Sequence, residues 1–252
     1  MNIDTVPTDY QPAPNLLADH IILVTGAGDG IGKAAAIAFA HYGAIVILAG
    51  RTVAKLEAVY DQIEQAGYPL PTIYPVDLEG ATEADYQQLC EVIDEQFGRL
   101  DGLLHNAGVL GQRTPLANYK PSVWNTVLQI NLTAPFMMTQ ALLPVLEKSS
   151  AASVVFISSG VGRTARAFWG AYSVSKFGIE ALSKIWAEEL EEVTNIRVNA
   201  LNPGRTRTMM RALAYPGEDP HTLKKPEEIM AAYLYLMGPD SRGISGKTYN
   251  AQ

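Results

Sequence analysis

The 252-residue chain has a single cysteine, Cys90. One thiol closes no internal disulfide and builds no zinc cluster, so the chain reads as intracellular. Cys90 itself reads as a small buried residue of a helix. Basic charge is also in short supply: 19 Lys and Arg stand against 26 Asp and Glu, a net charge of −7. A nucleic-acid-binding surface needs the opposite sign, so no nucleic-acid partner is expected. No apolar run approaches the ~18 residues of a membrane span. Met1 to Gln11 lack the basic-then-apolar order of a signal peptide. The expected location is therefore cytoplasmic, with no membrane partner. His20, His41, His105 and His221 are scattered and not at metal-ligand spacing, so no metal site is expected. His105 reads as a packed or hydrogen-bonded residue. Charged residues make up only 18% of the chain and apolar ones 48%, which favours a sizeable core over disorder.

What is present is one alternation, repeated. Residues 1–18 are polar and contain Pro7, Pro12 and Pro14, which reads as an arm outside the core. Residues 19–252 read as one domain, with no linker or composition shift dividing them. Short apolar runs fall at Ile21–Thr25, Ala44–Ala49, Pro71–Val76, Gly102–His105, Ser153–Ser158, Ile196–Leu201 and Lys247–Ala251. Helical spacing occupies Ile31–Tyr42, Val53–Ala66, Glu83–Phe97, Ser122–Lys148, Gly170–Val193 and Pro226–Met237. In the third of these, Tyr86, Leu89, Cys90, Ile93 and Phe97 form one stripe. The runs lack polar alternation, as strands buried on both faces do. The expected fold is α/β: a Rossmann-type, doubly wound, predominantly parallel sheet of seven strands with helices on both faces.

The first strand ends in Thr25-Gly26-Ala27-Gly28-Asp29-Gly30-Ile31-Gly32 and runs straight into a helix. Glycines there let the backbone turn tightly and approach a phosphate at the helix N-terminus. The pattern is not a P-loop, because Ala27 and Ala34 stand where its first Gly and its Ser or Thr belong. Nor is it GxGxxG, because Ile31 stands at the third Gly. What remains is TGxxxGxG. The second strand ends in Ala49-Gly50-Arg51-Thr52, without the acidic residue that meets a free ribose 2′-hydroxyl. An arginine suits a 2′-phosphate through forked, charge-assisted hydrogen bonds. Arg51 thus points to NADP(H) over NAD(H), and Asp29 in the loop is the contrary sign.

Further motifs follow in order: Asp77 and Leu78, Asn106-Ala107-Gly108, Asn131, Ser159, Tyr172-Ser173-Val174-Ser175-Lys176, and Pro203-Gly204 with Thr206 and Thr208. Ser159 precedes Tyr172 by 13 residues. Over about residues 15–250 the chain resembles the short-chain dehydrogenases/reductases. Asn15-Leu16-Leu17, Val161-Gly162-Arg163, Trp169-Gly170-Ala171-Tyr172 and Tyr249-Asn250-Ala251-Gln252 resemble the YciK-type oxidoreductases of Gram-negative bacteria within that family. Tyr172–Lys176 alone is a weak signal. The ordered set is what carries the resemblance.

The resemblance implies a catalytic tetrad of Asn131, Ser159, Tyr172 and Lys176. It implies a cofactor site built from Gly26, Gly28, Asp29, Gly30, Ile31, Gly32, Arg51, Asp77, Leu78, Asn106, Ala107, Gly108, Tyr172, Lys176, Pro203, Gly204, Thr206 and Thr208. Tyr172 and Lys176 lie four apart, on one helix face. A nearby ammonium is expected to lower the phenol's pKa, so that Tyr172 exchanges a proton with a carbonyl or alcohol. Ser159 would stabilise the carbonyl oxygen. Lys176 would also hold the nicotinamide ribose, and Asn131 a relay water. The family also implies a homodimer or homotetramer.

Arg205 to Lys225 carries five basic and two acidic residues, and Arg163 and Arg166 follow Ser159. These suggest a carbonyl substrate with an aromatic or acyl body and an anionic group, or else surface and subunit contacts. Two other functions stay open. One is a 3-oxoacyl-[acyl-carrier-protein] reductase, disfavoured by Glu188, Glu189, Glu191 and Glu192 at the end of the Lys176 helix. The other is a non-catalytic NADP-binding regulatory protein.

Overall fold

The computed structural model describes residues 4–7 and 9–252. Among these residues all strand pairings are parallel, in one sheet of eight strands. The strands are β1 (Asp4–Thr5), β2 (Ile21–Thr25), β3 (Ile45–Gly50), β4 (Thr72–Pro75), β5 (Gly102–His105), β6 (Ser153–Ile157), β7 (Arg197–Asn202) and β8 (Thr248–Asn250). Their spatial order is β1-β8-β7-β6-β5-β2-β3-β4. The helices are α1 (Gly30–His41), α2 (Val53–Gln65), α3 (Glu83–Phe97), α4 (Pro121–Leu128), α5 (Ala134–Leu146), α6 (Gly170–Leu190), α7 (Met209–Ala214) and α8 (Met230–Met237).

Both faces of the central strands are apolar, and they feed two separate cores. Val24, Val46, Leu48, Leu104, Val155 and Leu201 face the core shared with α1, α2 and α8. Their neighbours Leu23, Ile47, Leu103, Val154, Phe156 and Val198 face the core shared with α3, α5 and α6. Successive strand side chains point to opposite faces, so a strand between two helix layers must be apolar throughout. That is why these segments show no alternation in sequence.

The eighth strand corrects the expected count of seven. Asp4 and Thr5 pair in parallel with Tyr249 and Asn250. Nothing in a two-residue polar stretch marks it as a strand; its only qualification is the open edge of β8. The segment read as an arm is also anchored further along. Leu17 is fully buried and donates its N–H to the Tyr42 carbonyl. The Tyr10 hydroxyl donates to Asp240 at 2.9 Å.

A second departure lies between α4 and α5. The sequence predicts one helix across Ser122–Lys148. The structure instead inserts a π-helical turn over Gln129–Thr133, with Asn131 at its centre. The extra residue in such a turn re-aims side chains, and these turns recur at functional sites. Among the described residues, no helix is long and apolar enough to cross a membrane.

Chain order reverses between β2 and β5. Connections from β2 run outward through β3 to β4, and those from β5 run the other way. The carboxyl ends of strands at such a switch point leave a crevice for a ligand. Thr25 and His105 end these two strands, so the glycine loop and Asn106-Ala107-Gly108 meet at that crevice.

Candidate active site

A cleft of about 460 Å³ opens at this point. Its walls include Gly26, Gly28, Asp29, Gly30, Ile31, Arg51, Asp77, Leu78, Asn106, Ala107, Gly108, Tyr172, Lys176, Pro203 and Thr208. Residues scattered over most of the chain are thus brought to one surface. Gly32, Asn131, Ser159, Gly204 and Thr206 do not line it.

The glycine loop is shaped by contacts that exclude a side chain. Gly26 has φ +68°, and a Cβ there would lie 3.0 Å from Ala107 Cα. A Cβ on Gly32 would lie 2.2 Å from the Gly26 carbonyl oxygen. Thr25 fastens the loop to β5. Its hydroxyl donates to the Leu104 carbonyl at 3.2 Å and accepts from the N–H groups of Asn106 and Ala107. The Asn106 amide donates to the Thr25 carbonyl at 3.1 Å. The first turn of α1 opens onto the cleft with a bare backbone, as a phosphate cradle requires. These residues fit a dinucleotide.

Asp29 caps α1, accepting from the Gly30 N–H at 2.7 Å. Lys55 meets its other oxygen at 2.6 Å, and this hydrogen bond holds the carboxyl below its ordinary pKa. The charge that argued against a 2′-phosphate is therefore countered by a lysine one turn along α2 from Arg51. Lys55 was not singled out in the sequence, although its spacing from Arg51 carried the signal. Arg51 stands exposed on the cleft wall at the end of β3.

Asn131 is 1% exposed. Its carbonyl accepts from the Val109 N–H at 2.8 Å, and its amide donates to the Val109 carbonyl at 2.9 Å and to Ser175 Oγ at 3.2 Å. The π turn thus clamps the loop that follows β5 at Val109 and links it to α6. Replacing Asn131 with Ala strands both Val109 backbone groups. The expected cost is about 2 kcal/mol of stability, on the scale of an unsatisfied buried pair. Denaturant unfolding checks it, and an unchanged midpoint and slope would contradict the clamp.

Lys176 is 4% exposed, and its ammonium donates to the Ile157 carbonyl at 2.6 Å. Burial pulls its pKa down to about 8, so the cation still predominates at pH 7. The ammonium lies 5.8 Å from the Tyr172 ring centre. The expectation that it lowers the phenol's pKa is not met. Burial dominates and pushes the Tyr172 pKa up, opposed by a hydrogen bond with Ser159. Ser159 also caps the turn over Gly160–Gly162, accepting from the Val161 N–H at 3.4 Å. Its neighbour Ser158 lines the cleft with a buried hydroxyl that has no protein partner.

Thr208 caps α7 and rests its methyl against the glycine loop near Gly30. Thr206 is buried below, donating to the Pro203 carbonyl and accepting from Gln252. Met209 and Met210 join the wall beside Thr208. On the far side of Tyr172 stands an apolar group of Val161, Trp169, Ala214, Leu110, Met210 and Tyr215. Arg113 stacks on Trp169 at 4.4 Å and donates to the Ala214 carbonyl.

The basic surplus of Arg205–Lys225 is largely consumed. Arg205 and Arg211 both pair with Glu218 at 2.6 Å, which holds the Glu218 pKa down to about 2. Arg207 donates to the Leu223 carbonyl, and Arg163 is buried against Glu180. These four side chains do not form an anion site beside Tyr172. His105 stacks on Phe156 and hydrogen-bonds Thr139 at 2.8 Å, and burial drives its pKa down to about 3. It is a neutral packing residue. Among the described residues, no group of three His, Cys, Asp or Glu is placed to hold a metal.

Residues 20–219 match the family described as short chain dehydrogenase. The chain is 51% identical to the oxidoreductase YciK of Escherichia coli (strain K12), over 96% of both chains. It is 32% identical to a 3-oxoacyl-[acyl-carrier-protein] reductase of Thermotoga maritima, over 92% of this chain and 95% of that one. A crystal structure of a short chain dehydrogenase from Shigella flexneri, complexed with NADP, superposes with a TM-score of 0.93 at 51% identity. That match covers 95% of this chain and all of the other.

Proposed function

This chain belongs to the short-chain dehydrogenase family, and from that premise we propose that it is an NADP(H)-dependent oxidoreductase interconverting a carbonyl and an alcohol. The observation that carries the reading is the convergence of Tyr172, Lys176, the glycine loop and Arg51 on one cleft at the sheet's switch point. When bound, NADP(H) supplies or accepts the hydride. Tyr172 gives its proton to the carbonyl oxygen in reduction and takes one from the alcohol in oxidation. A buried phenol with a raised pKa keeps its proton at neutral pH, which suits the reductive direction. The Ser159 hydroxyl, already bonded to the phenol, donates to the same substrate oxygen. Lys176 keeps its charge 5.8 Å from the Tyr172 ring centre and would hold the nicotinamide ribose. Asn131 fixes the loop on which Gly108 approaches Lys176.

Arg51 and Lys55 flank the place of a ribose 2′-phosphate, and Lys55 also neutralises Asp29. The NADP complex of the Shigella relative supports this assignment. Replacing Arg51 with Ala should raise the dissociation constant for NADPH by about 10- to 100-fold, the scale of a forked charged hydrogen bond. The constant for NADH should stay within about twofold. Fluorescence titration with both cofactors measures it, and equal losses would remove Arg51 from the phosphate site.

The substrate's body meets the wall of Trp169, Val161, Leu110, Met210 and Tyr215, so an apolar or aromatic carbonyl compound fits. A panel of such carbonyls, assayed with NADPH and with NADH, tests the whole proposal. The likeness to the Thermotoga enzyme favours a second reading as an acyl-carrier thioester reductase. Turnover of a 3-oxoacyl carrier-protein thioester in the same panel selects it. We also take the protein to be a cytoplasmic homodimer or homotetramer. Exposed Phe136 on α5 and Val174 and Ile185 on α6 are the apolar surface that supports assembly.

A further inference from the structure

Arg163 and Glu180 form an ion pair at 2.7 Å, with side chains only 8% and 2% exposed. Charges are seldom buried this deeply unless their hydrogen-bonding capacity is met, and both sides are well supplied. Arg163 Nη1 donates to Asn250 Oδ1 at 2.7 Å, and Nη2 donates to the Tyr249 carbonyl at 2.9 Å. The second carboxylate oxygen of Glu180 accepts from Thr248 Oγ1 at 2.9 Å. Asn250 Oδ1 also accepts from Asn202, at the end of β7. These five hydrogen bonds converge on one point between α6 and the ends of β7 and β8.

That point adjoins the catalytic groups from two directions. Glu180 follows Tyr172 and Lys176 at successive fourth positions, so the three share a helix face. Arg163 ends the short turn that begins at Ser159. Gly162 and Thr164 close the turn by donating to the Ser159 and Gly160 carbonyls. The turn lies directly on α6: a Cβ on Gly162 would come 2.7 Å from Lys176 Cβ, and Ser173 Oγ donates to the Val161 carbonyl. Besides the ion pair, the turn is joined to α6 by Ser173, by the Ser159–Tyr172 hydrogen bond and by the packing of Val161 and Gly162.

We propose that Arg163 and Glu180 are positioning residues that hold Ser159 and Tyr172 in register and brace both against the last strand, β8. The proposal rests on the oxidoreductase reading given above. It assigns a role to two sequence stretches that the cofactor site does not use, Val161-Gly162-Arg163 and Tyr249-Asn250-Ala251-Gln252. Arg163 is not a substrate-binding arginine, because its donors are spent inside the protein.

The test compares Arg163→Lys with the double variant Arg163→Met, Glu180→Leu. Lysine keeps the charge but loses the fork to β8. The double variant removes both charges for apolar side chains of similar size, an exchange that leaves stability near the parent's. Each is assayed for NADPH-dependent reduction of an aromatic carbonyl, NADPH binding and thermal midpoint. Misplacement of about 1 Å costs up to ~100-fold in rate. The expected result is a kcat lowered at least about tenfold in both variants, with KM for the carbonyl and the NADPH dissociation constant within about twofold. The acid limb of the alcohol-oxidation pH profile should also move up, because Ser159 no longer holds the Tyr172 phenol down. Lys176, whose ammonium lies 5.8 Å from the centre of that ring, and Arg113, stacked on the neighbouring Trp169, remain in both variants. A double variant with parental kcat and pH profile overturns the proposal. If the parent reduces no carbonyl, the functional reading fails instead. Hydrogen exchange then decides the clamp: faster exchange of the Gly162 and Thr164 amides in Arg163→Lys upholds it, and parental protection overturns it.

Discussion

Replacing Tyr172 with Phe should lower carbonyl reduction by about a thousandfold or more while NADPH binding stays within about twofold. Positioned acid–base groups contribute about 10²- to 10⁴-fold, and here no second group is placed to substitute. His105 is held neutral and faces Thr139, and Lys176 donates to the Ile157 carbonyl. The lost hydroxyl leaves the ring in place against Trp169, with centroids 5.7 Å apart, so folding should be spared. Steady-state rates paired with a binding titration separate the two effects. A variant with parental kcat would remove Tyr172 from the reaction. Loss of turnover with retained cellular function would favour a binding role for the protein. The direction of the pKa adds a second check. Burial raises the phenol, so reduction should be nearly flat with pH through neutrality, whereas alcohol oxidation should climb toward alkaline pH.

Replacing Gly32 with Ala should be the most damaging single-carbon change in the cofactor site. The added Cβ would stand 2.2 Å from the Gly26 carbonyl oxygen, 2.4 Å from Asn106 Nδ2 and 2.8 Å from the Gly26 carbonyl carbon. Two of those atoms are backbone and cannot rotate away. The loop must therefore lift off α1, opening the cradle and breaking the Thr25–Asn106 bonds behind it. Overpacking of this kind costs about 1–3 kcal/mol, and the NADPH dissociation constant should rise at least about a hundredfold as the loop moves. Gly80→Ala is the control, since nothing lies within 4 Å of a Cβ there. Calorimetry with and without NADPH reads both effects. Parental binding by Gly32→Ala would show that the close approach of α1 to Gly26 is dispensable.

The parts of this protein that were legible in its sequence are those set by local chemistry. Seven of the eight strands were visible as short, mostly apolar runs, because a strand covered on both faces carries little polar alternation. The glycine loop was visible because no other residue tolerates that approach. Tyr172 and Lys176 were named by the resemblance that the ordered motifs carry, with helix spacing placing them on one face. Other features were not legible, and each depends on a partner far away in the chain. Asp4–Thr5 becomes a strand only because β8 offers an edge. Asn131 was named by the resemblance, but its π turn and its clamp on both Val109 backbone groups were not visible. Arg205 and Arg211 read as surplus charge until Glu218 folds back onto them.

The sequence by itself determined the parallel sheet and the glycine loop, and its ordered motifs pointed to Tyr172 and Lys176 as the proposed acid–base pair. The first two follow from periodicity and steric exclusion, which act over a few residues. Tertiary structure decided the electrostatics. It set Lys55 against Asp29, sank Arg163 onto Glu180 of α6, and raised the Tyr172 phenol where its lysine was expected to lower it. Charge energies depend on distance and burial, and neither is written along the chain.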